Sequence, residues 1–207
     1  MDITASLILI FLFSPVMILT AIIIKITAPG PVLVEPGNLH MKRIGKDGKI
    51  FRLFKFRSMP VYSDSVLTSN PKFKKLYDEW KRSNFKLHKD PRVTKFGRFI
   101  RKFSIDEMPQ LFNVLRGDMS LVGPRPYHAL ELEEQLKVYP NTAKFVHETQ
   151  TVKPGITGFW QVSGRSNINF DKRIEMDAIY ARRKSLAMDF YIIFKTPFVM
   201  ISGKGAV

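Results

Sequence analysis

The chain has 207 residues, 45% of them apolar, and a formal charge of +15. That length suits one domain with an appendage and a core of useful size. The lack of cysteine excludes disulfides and thiolate chemistry, and the four histidines (His40, His88, His128, His147) show no metal-ligand spacing. The charge calls for a polyanionic partner: nucleic acid, an anionic membrane face or phosphorylated substrates.

In chain order, Ile3 to Ile24 is almost wholly apolar and is closed by Lys25. About 20 such residues cross a bilayer core of about 30 Å. Asp2 is not the basic leading region of a signal peptide, and no A-x-A site follows. Ser14-Pro15 interrupts the run at its middle. Proline there removes the hydrogen bond to the Phe11 carbonyl, which a nearby hydroxyl or a neighbouring helix can satisfy. Two geometries fit: a kinked span, or a bent helix that enters and leaves on one face.

PGPVLVEPG (29–37) predicts a turn and a brief strand, KDGK (46–49) a turn, and IFRLFKF (50–56) a flanking strand. From Lys72 to Lys102 twelve Lys/Arg stand against three acids, Asp78, Glu79 and Asp90. Phe73, Leu76, Tyr77 and Trp80, then Phe96, Phe99, Ile100 and Phe103, recur at helical spacing. This predicts two amphipathic helices with basic opposite faces, parted at Asp90-Pro91. Either alone could be a core-facing helix with a solvated side; beside a lipid-inserted segment, the membrane surface becomes the better account. Basic flanks stay inside and the cytoplasmic leaflet is anionic, which puts the polar body in the cytoplasm.

SIDEMPQLFNVLRG (104–117) admits two framings. Ser104 and Glu107 fit a capping box, whereas Asp106 as N-cap better suits Pro109 in the first turn. Both put two carboxylates at the positive end of a helix dipole, with Met108, Leu111, Phe112 and Leu115 inward and a stop at Gly117. GPRP (123–126) holds Arg125 between prolines. ALELEEQLKVY (129–139) reads as helix, KPGITG (153–158) as a loop leading into FWQVSGRS (159–166), and 168–185 as helix. Residues 186–202 read as an amphipathic helix on the core or a membrane face, since Lys195 and Pro197 interrupt a second span. Capping explains one acid of the pair. Ionised acids beside cations in a phosphate-seeking site point to phosphoryl chemistry with a divalent metal, one carboxylate attacking and one helping to bind Mg²⁺.

Ser-Pro inside the apolar helix, PGPV, KFRSM (55–59), DPRVTKFGRFIRKFSIDEMPQLFNVLRGDMSLVGPRP and KPGITGFWQVSGRS occur in an order that resembles the bacterial sugar transferase family over nearly the whole chain. These are monotopic polyprenyl-phosphate phosphoglycosyl transferases. The resemblance implies an α+β, mainly helical fold with a small β region, a re-entrant membrane helix over 1–28 broken at Ser14 and Pro15, amphipathic interface helices, and a catalytic domain over 29–207. It implies transfer of a sugar 1-phosphate from a UDP-sugar to undecaprenyl phosphate, at the cytoplasmic face of a bacterial inner membrane, as the first membrane step of surface polysaccharide synthesis. Asp106 maps to the nucleophile that forms a covalent phosphosugar intermediate, and Glu107 to its assistant; together they would hold Mg²⁺. Arg101 and Arg125 map to residues near the substrate phosphates, with Lys55, Arg57, Arg92, Gln161, Arg165 and Asp177 as further substrate-binding positions. WQVSGRS looks like members that use hexoses such as galactose or glucose. The implied partners are the UDP-sugar, undecaprenyl phosphate and an anionic membrane, with a homodimer as an optional assembly and no nucleic acid.

There are departures. The chain starts almost at the apolar run, without the leading basic residues of many members or the bundle of spanning helices found in larger relatives. VEPGNLHMKRIG replaces a more usual FFRQ-type run. Two other classes compete. A membrane-attached nucleic-acid binder would use the same basic helices but leave Asp106-Glu107 without a role. A scaffold of polysaccharide assembly would share the anchor and be catalytically silent. Release of UMP from UDP-sugars separates them.

Overall fold

The computed structural model describes residues 1–34, 41–61, 74, 78, 90–164 and 168–202. The first of the two basic helices expected from the sequence (72–89) and Arg165 therefore lie outside the described residues, apart from Lys74 and Asp78. Among the described residues the architecture is mostly helical with four short strands.

The apolar run forms α1 (Asp2–Thr27), long and apolar enough to cross a membrane by length and composition. Pro15 sits inside it, and Ser14 Oγ donates to the Phe11 carbonyl at 2.8 Å, occupying the acceptor that proline leaves empty. One stripe of α1 packs on the body. Ala5, Leu9 and Ile10 meet one apolar cluster, and Met17, Ala21 and Ile24 meet another. Most of the remaining apolar surface is exposed, Phe11 most of all at 84%.

The two ends of α1 are both tied to the body. Asp2 Oδ1 accepts from Ser120 Oγ at 3.1 Å and from the Leu121 amide at 3.2 Å. Beyond the other end, Arg57 donates to the Ala28 and Pro29 carbonyls at 2.6 and 2.7 Å.

β1 (Lys42–Ile44) and β2 (Ile50–Arg52) form an antiparallel hairpin across the KDGK turn, where Asp47 and Gly48 adopt positive φ. Of the turn and brief strand expected in 29–37, residues 29–34 are described, and among them Leu33 makes a bridge, to Phe56. Residues 53–57 continue extended from β2 and are bonded on both sides. Val34 N–H donates to the Lys55 carbonyl and Arg57 N–H to that of Val32, while Phe56 N–H donates to the Asp106 carbonyl at 2.9 Å. Asn113, fully buried, pairs its side-chain amide with this strip, accepting from Phe54 N–H and donating to the Arg52 carbonyl.

α2 (Lys95–Lys102) is capped by Thr94, whose Oγ accepts from Gly97 N–H at 2.8 Å. A Cβ at Gly97 would stand 2.1 Å from the Ser58 carbonyl, so only glycine lets α2 lie against the strip. Ile100 is buried and Phe96 packs inward, but Phe99 and Phe103 are exposed.

A 3₁₀ turn (Ile105–Glu107) carries the acid pair, and α3 (Gln110–Leu115) follows with Pro109 as its N-cap. Neither capping frame is realised, since neither Ser104 nor Asp106 makes a side-chain cap bond; Ser104 takes a left-handed φ of 55° and the Asp106 carboxylate has another partner. Phe112, expected inward, is 43% exposed, and Asn113 and Val114 take the buried side with Leu111.

β3 (Ser120–Val122) pairs in parallel with β4 (Gly155–Thr157), where the sequence suggested only a loop. This brings GPRP against KPGITG: a Cβ on Gly155 would lie 2.0 Å from Gly123 N. The other helices are α4 (Ala129–Val138), α5 (Ala143–Thr149), α6 (Phe159–Ser163), α7 (Phe170–Arg183) and α8 (Leu186–Ser202), of which α8 packs on both strands. α8 buries Ile192 in the cluster that receives the first half of α1, while Leu186, Phe190, Phe194 and Phe198, four residues apart, stay exposed.

Candidate active site

The strip 53–57 and the 3₁₀ turn place Lys55 over the acid pair. Lys55 Nζ lies 2.8 Å from Asp106 Oδ2 and 3.3 Å from Glu107 Oε1. The Phe56–Asp106 backbone bond fixes this register, because it sets the residue beside Lys55 against Asp106. Asp106 is buried, whereas about a third of the Glu107 side chain is exposed, 33%. Burial pushes the Asp106 carboxyl up and Glu107 adds to the shift, while Lys55 and Arg101 oppose it.

Arg101 comes from the last turn of α2, and its Nε donates to Ser58 Oγ at 2.9 Å. Burial lowers its pKa, and its charge is felt by Asp106, Asp90 and Glu107. Arg92 forks onto Asp90 through Nε at 2.9 Å and Nη2 at 2.7 Å. Burial alone would raise the Asp90 pKa, but the bonds from Arg92 outweigh it and hold Asp90 low. Lys55, Arg92, Arg101, Asp106 and Glu107 are thus one neighbourhood. Arg57 is bound instead to the carbonyls after α1, and Gln161 Nε2 donates to the Ile156 carbonyl at 3.1 Å.

A second charged group adjoins the first. Arg125 N–H donates to Asp177 Oδ2 at 3.1 Å, and its guanidinium lies over the rings of Trp160 and Tyr127 at 5.5 and 5.9 Å. Burial opposes the Arg125 charge, but Glu131, Tyr127, Glu107 and Asp177 outweigh it and raise its pKa. Glu107 therefore acts on both groups. Asp177, fully buried on α7, is pushed up to about 7 by burial, against the Arg125 amide and the charges of Arg173 and Arg125. Sequence reasoning passed over Arg43, Tyr127, Glu131, Trp160 and Arg173. Glu131 alone carried a signal, its helical spacing with His128, Leu132 and Gln135, residues that the fold buries together.

A profile of the family described as bacterial sugar transferase matches residues 1–203. The chain belongs to the bacterial sugar transferase family. Bacterial sugar transferases similar to it include the undecaprenyl-phosphate galactose phosphotransferase of Salmonella typhimurium, 42% identical over 99% of this chain and 40% of that protein. The exopolysaccharide production protein ExoY of Rhizobium meliloti is 40% identical over 97% of this chain and 84% of ExoY. The UDP-N-acetylgalactosamine-undecaprenyl-phosphate N-acetylgalactosaminephosphotransferase of Aeromonas hydrophila is 39% identical over 100% of this chain and 44% of that relative. The chain spans about two fifths of the length of several curated relatives it matches, the Salmonella enzyme among them.

The acid pair suits a hard divalent ion. Two carboxylates already converge on one cation, the Lys55 ammonium, at 2.8 and 3.3 Å. Among the described residues no cluster of three or more His, Cys, Asp or Glu could hold a metal, so an ion at the acid pair would have at most these two carboxylates as protein donors.

Proposed function

We propose that this chain transfers a sugar 1-phosphate from a UDP-sugar to undecaprenyl phosphate at a membrane surface, using Asp106 as the nucleophile. What carries this reading is the contact of Lys55 with the Asp106-Glu107 pair, with Arg101 within electrostatic reach of both acids and Arg125 within reach of Glu107. An acid that attacks a phosphate must be ionised, and the phosphate's charge must be screened. Lys55 favours the ionised form of a carboxylate that burial would otherwise neutralise. The guanidiniums supply the screening.

In the first step an Asp106 oxygen attacks the phosphorus that bears the sugar. The bond from that phosphorus to the bridging oxygen breaks, and UMP leaves with the electron pair. In the second step an oxygen of undecaprenyl phosphate attacks the same phosphorus, the acyl-phosphate bond breaks, and Asp106 returns as carboxylate. Asp106 and Glu107 would hold Mg²⁺, which when bound neutralises charge on the phosphoryl oxygens. The split into two displacements lets UMP depart before the lipid phosphate arrives.

The apolar surface supports a membrane setting. α1 exposes most of its apolar residues, and the helices packed near it expose Phe99, Phe103, Phe190, Phe194 and Phe198. A re-entrant α1, both ends cytoplasmic, is supported by the two end ties and by Pro15. We infer a hexose donor, galactose or glucose, from the WQVSGRS loop. Relatives of nearly equal identity name galactose and N-acetylgalactosamine, so a panel of UDP-sugars is the measurement that decides.

The test is intact mass. With UDP-sugar and Mg²⁺ but no lipid, the protein should gain one sugar-phosphate on Asp106, and undecaprenyl phosphate should remove it. Asp106→Asn should lose adduct and turnover together. Glu107→Gln should turn over poorly yet retain slow adduct formation. Full turnover by Asp106→Asn, or a label on another residue, would leave direct attack by the lipid phosphate as the mechanism.

A further inference from the structure

Glu131 stands on the first turn of α4 with its side chain 4% exposed. Four basic side chains from three parts of the chain surround it. Arg43 Nη1 of β1 and His128 Nε2 lie 3.9 and 3.6 Å from Oε2, and Arg173 Nη2 of α7 and Arg125 Nε lie 3.7 and 4.0 Å from Oε1. Charge-assisted bonds run at about 2.7–2.9 Å. The carboxylate therefore holds this cage through its charge, from the centre, rather than by a fork onto one arginine.

His128 is set by the helix start, since its Nδ1 accepts from Glu131 N–H at 3.0 Å and so turns Nε2 toward the carboxylate. Arg125 and Arg173 both lie over the rings of Tyr127 and Trp160. Three guanidiniums face one glutamate, so positive charge remains in excess even with Asp177 nearby. Their mutual repulsion is visible at Arg43, whose pKa is lowered to about 10 by burial and then by Arg125. The Nε–H groups of Arg43, Arg125 and Arg173 are buried without a hydrogen-bond partner among the described residues. Unmatched buried donors of that kind call for water or a ligand. Glu107 acts on both Arg43 and Arg125, so the excess charge adjoins the acid pair.

We propose that Glu131 is a positioning residue that gathers Arg43, Arg125 and Arg173 into one surface for the diphosphate of the nucleotide-sugar donor, without touching the donor itself. This rests on the transfer reading above. Without the carboxylate the guanidiniums repel, and Arg43 and Arg125, 12% and 24% exposed, are free to swing toward solvent. Removing an anion also adds net positive charge, which taken alone would strengthen phosphate binding. The sign of the change therefore discriminates: weaker binding means orientation, tighter binding means mere subtraction of charge.

The experiment uses the full chain in detergent, with Glu131→Gln and Glu131→Asp. UDP affinity is measured calorimetrically without lipid, and UMP release is measured against each substrate separately. For Glu131→Gln, the UDP Kd and the KM for UDP-sugar should rise about tenfold or more, with the KM for undecaprenyl phosphate within about twofold of wild type. Glu131→Asp should fall between the two proteins. Unchanged or tighter UDP binding overturns the proposal, as does an equal rise in both KM values. Should Glu131→Gln fail to fold, Arg43→Met should show the same selective loss, and unchanged UDP affinity there overturns it equally. Wild type that binds UDP but releases UMP from no UDP-sugar refutes the transfer reading and leaves the Glu131→Gln contrast in UDP affinity to decide the cage. Wild type that binds no UDP overturns both.

Discussion

Lys55 Nζ touches Asp106 Oδ2 at 2.8 Å, an ammonium laid on a carboxylate that is almost wholly buried. The pair sits where the backbone of one strand is bonded to the turn that bears the acid, so the contact is built into the fold's register. Removing one partner of such a pair leaves a buried charge uncompensated, at a cost of about 3–5 kcal/mol. A carboxyl can escape that cost by taking a proton, and a protonated Asp106 is no nucleophile.

Lys55→Met should therefore act through the pH profile. Burial already raises the Asp106 pKa, and Lys55 opposes the rise; without Lys55 the pKa climbs further. The acid limb of kcat/KM for UMP release should move to higher pH, with activity at neutral pH down about 100-fold. Lys55→Arg keeps the charge and should recover part of both. An acid limb at the wild-type position would show that Lys55 does not set the Asp106 charge state.

Arg125→Lys should be damaging although it keeps the charge. The guanidinium lies over Trp160 at 5.5 Å and Tyr127 at 5.9 Å, and its backbone is held by Asp177 and by two flanking prolines. An ammonium loses both the planar stacking and the fork that can grip a diphosphate. A loss of about 10- to 100-fold in kcat/KM for UDP-sugar is the expected outcome. Near-wild-type kinetics would reduce Arg125 to a background charge.

Much of the site was readable along the chain because its parts are local. The acid pair, GPRP and Ser14-Pro15 each announce themselves within a few residues; α1 runs unbroken through Pro15, and the hydroxyl rescue at Phe11 follows from proline chemistry alone. What was hidden depends on partners far away. β3 and β4 are three-residue strands whose pairing joins positions 35 apart, Ser120 with Gly155, and neither strand shows an alternating pattern. Glu131 looks like Glu133 and Glu134 beside it, yet helical geometry turns it inward while Glu133 faces water. The capping frames failed for a related reason. The Asp106 side chain has a better partner in Lys55, 51 residues upstream, than any amide of the following helix.

Asp177 supplies a test on stability. Its carboxyl is pushed up to about 7 in the folded chain against an ordinary value of 3.8, so folding favours the protonated form. That contribution is complete below the ordinary value and is lost as pH rises through about 7. Wild type should thus melt lower at pH 8 than at pH 5, from this group by on the order of a few kcal/mol. Asp177→Asn keeps an acceptor for the Arg125 amide and carries no proton to lose, so its melting temperature should vary less across that window. Identical pH dependence in the two proteins would show that Asp177 does not titrate there.

The two ties on α1 lead to a test of topology. A helix of 26 residues is about 39 Å long, enough to separate its ends by a whole bilayer. Here Asp2 is bonded to Ser120 and Leu121, and the carbonyls after Thr27 are bonded to Arg57, so one polar body grips both ends. A helix crossing to the far side would have to break the Asp2 bonds and carry that carboxylate through lipid. Pro15 makes the alternative accessible, since a break at mid-run lets both arms stay shallow. Thr4→Cys puts a single thiol into the otherwise cysteine-free chain, and it should be shielded from impermeant thiol reagent applied outside intact cells. Asp2→Asn with Pro15→Ala, added to that protein, weakens the tie and straightens the helix together, and should raise the labelled fraction. Pro15→Ala alone should do so less, because the Asp2 bonds still hold. Strong labelling of the Thr4→Cys protein with Asp2 and Pro15 both intact would mean that α1 spans, and the ties seen here would then have to open in the membrane.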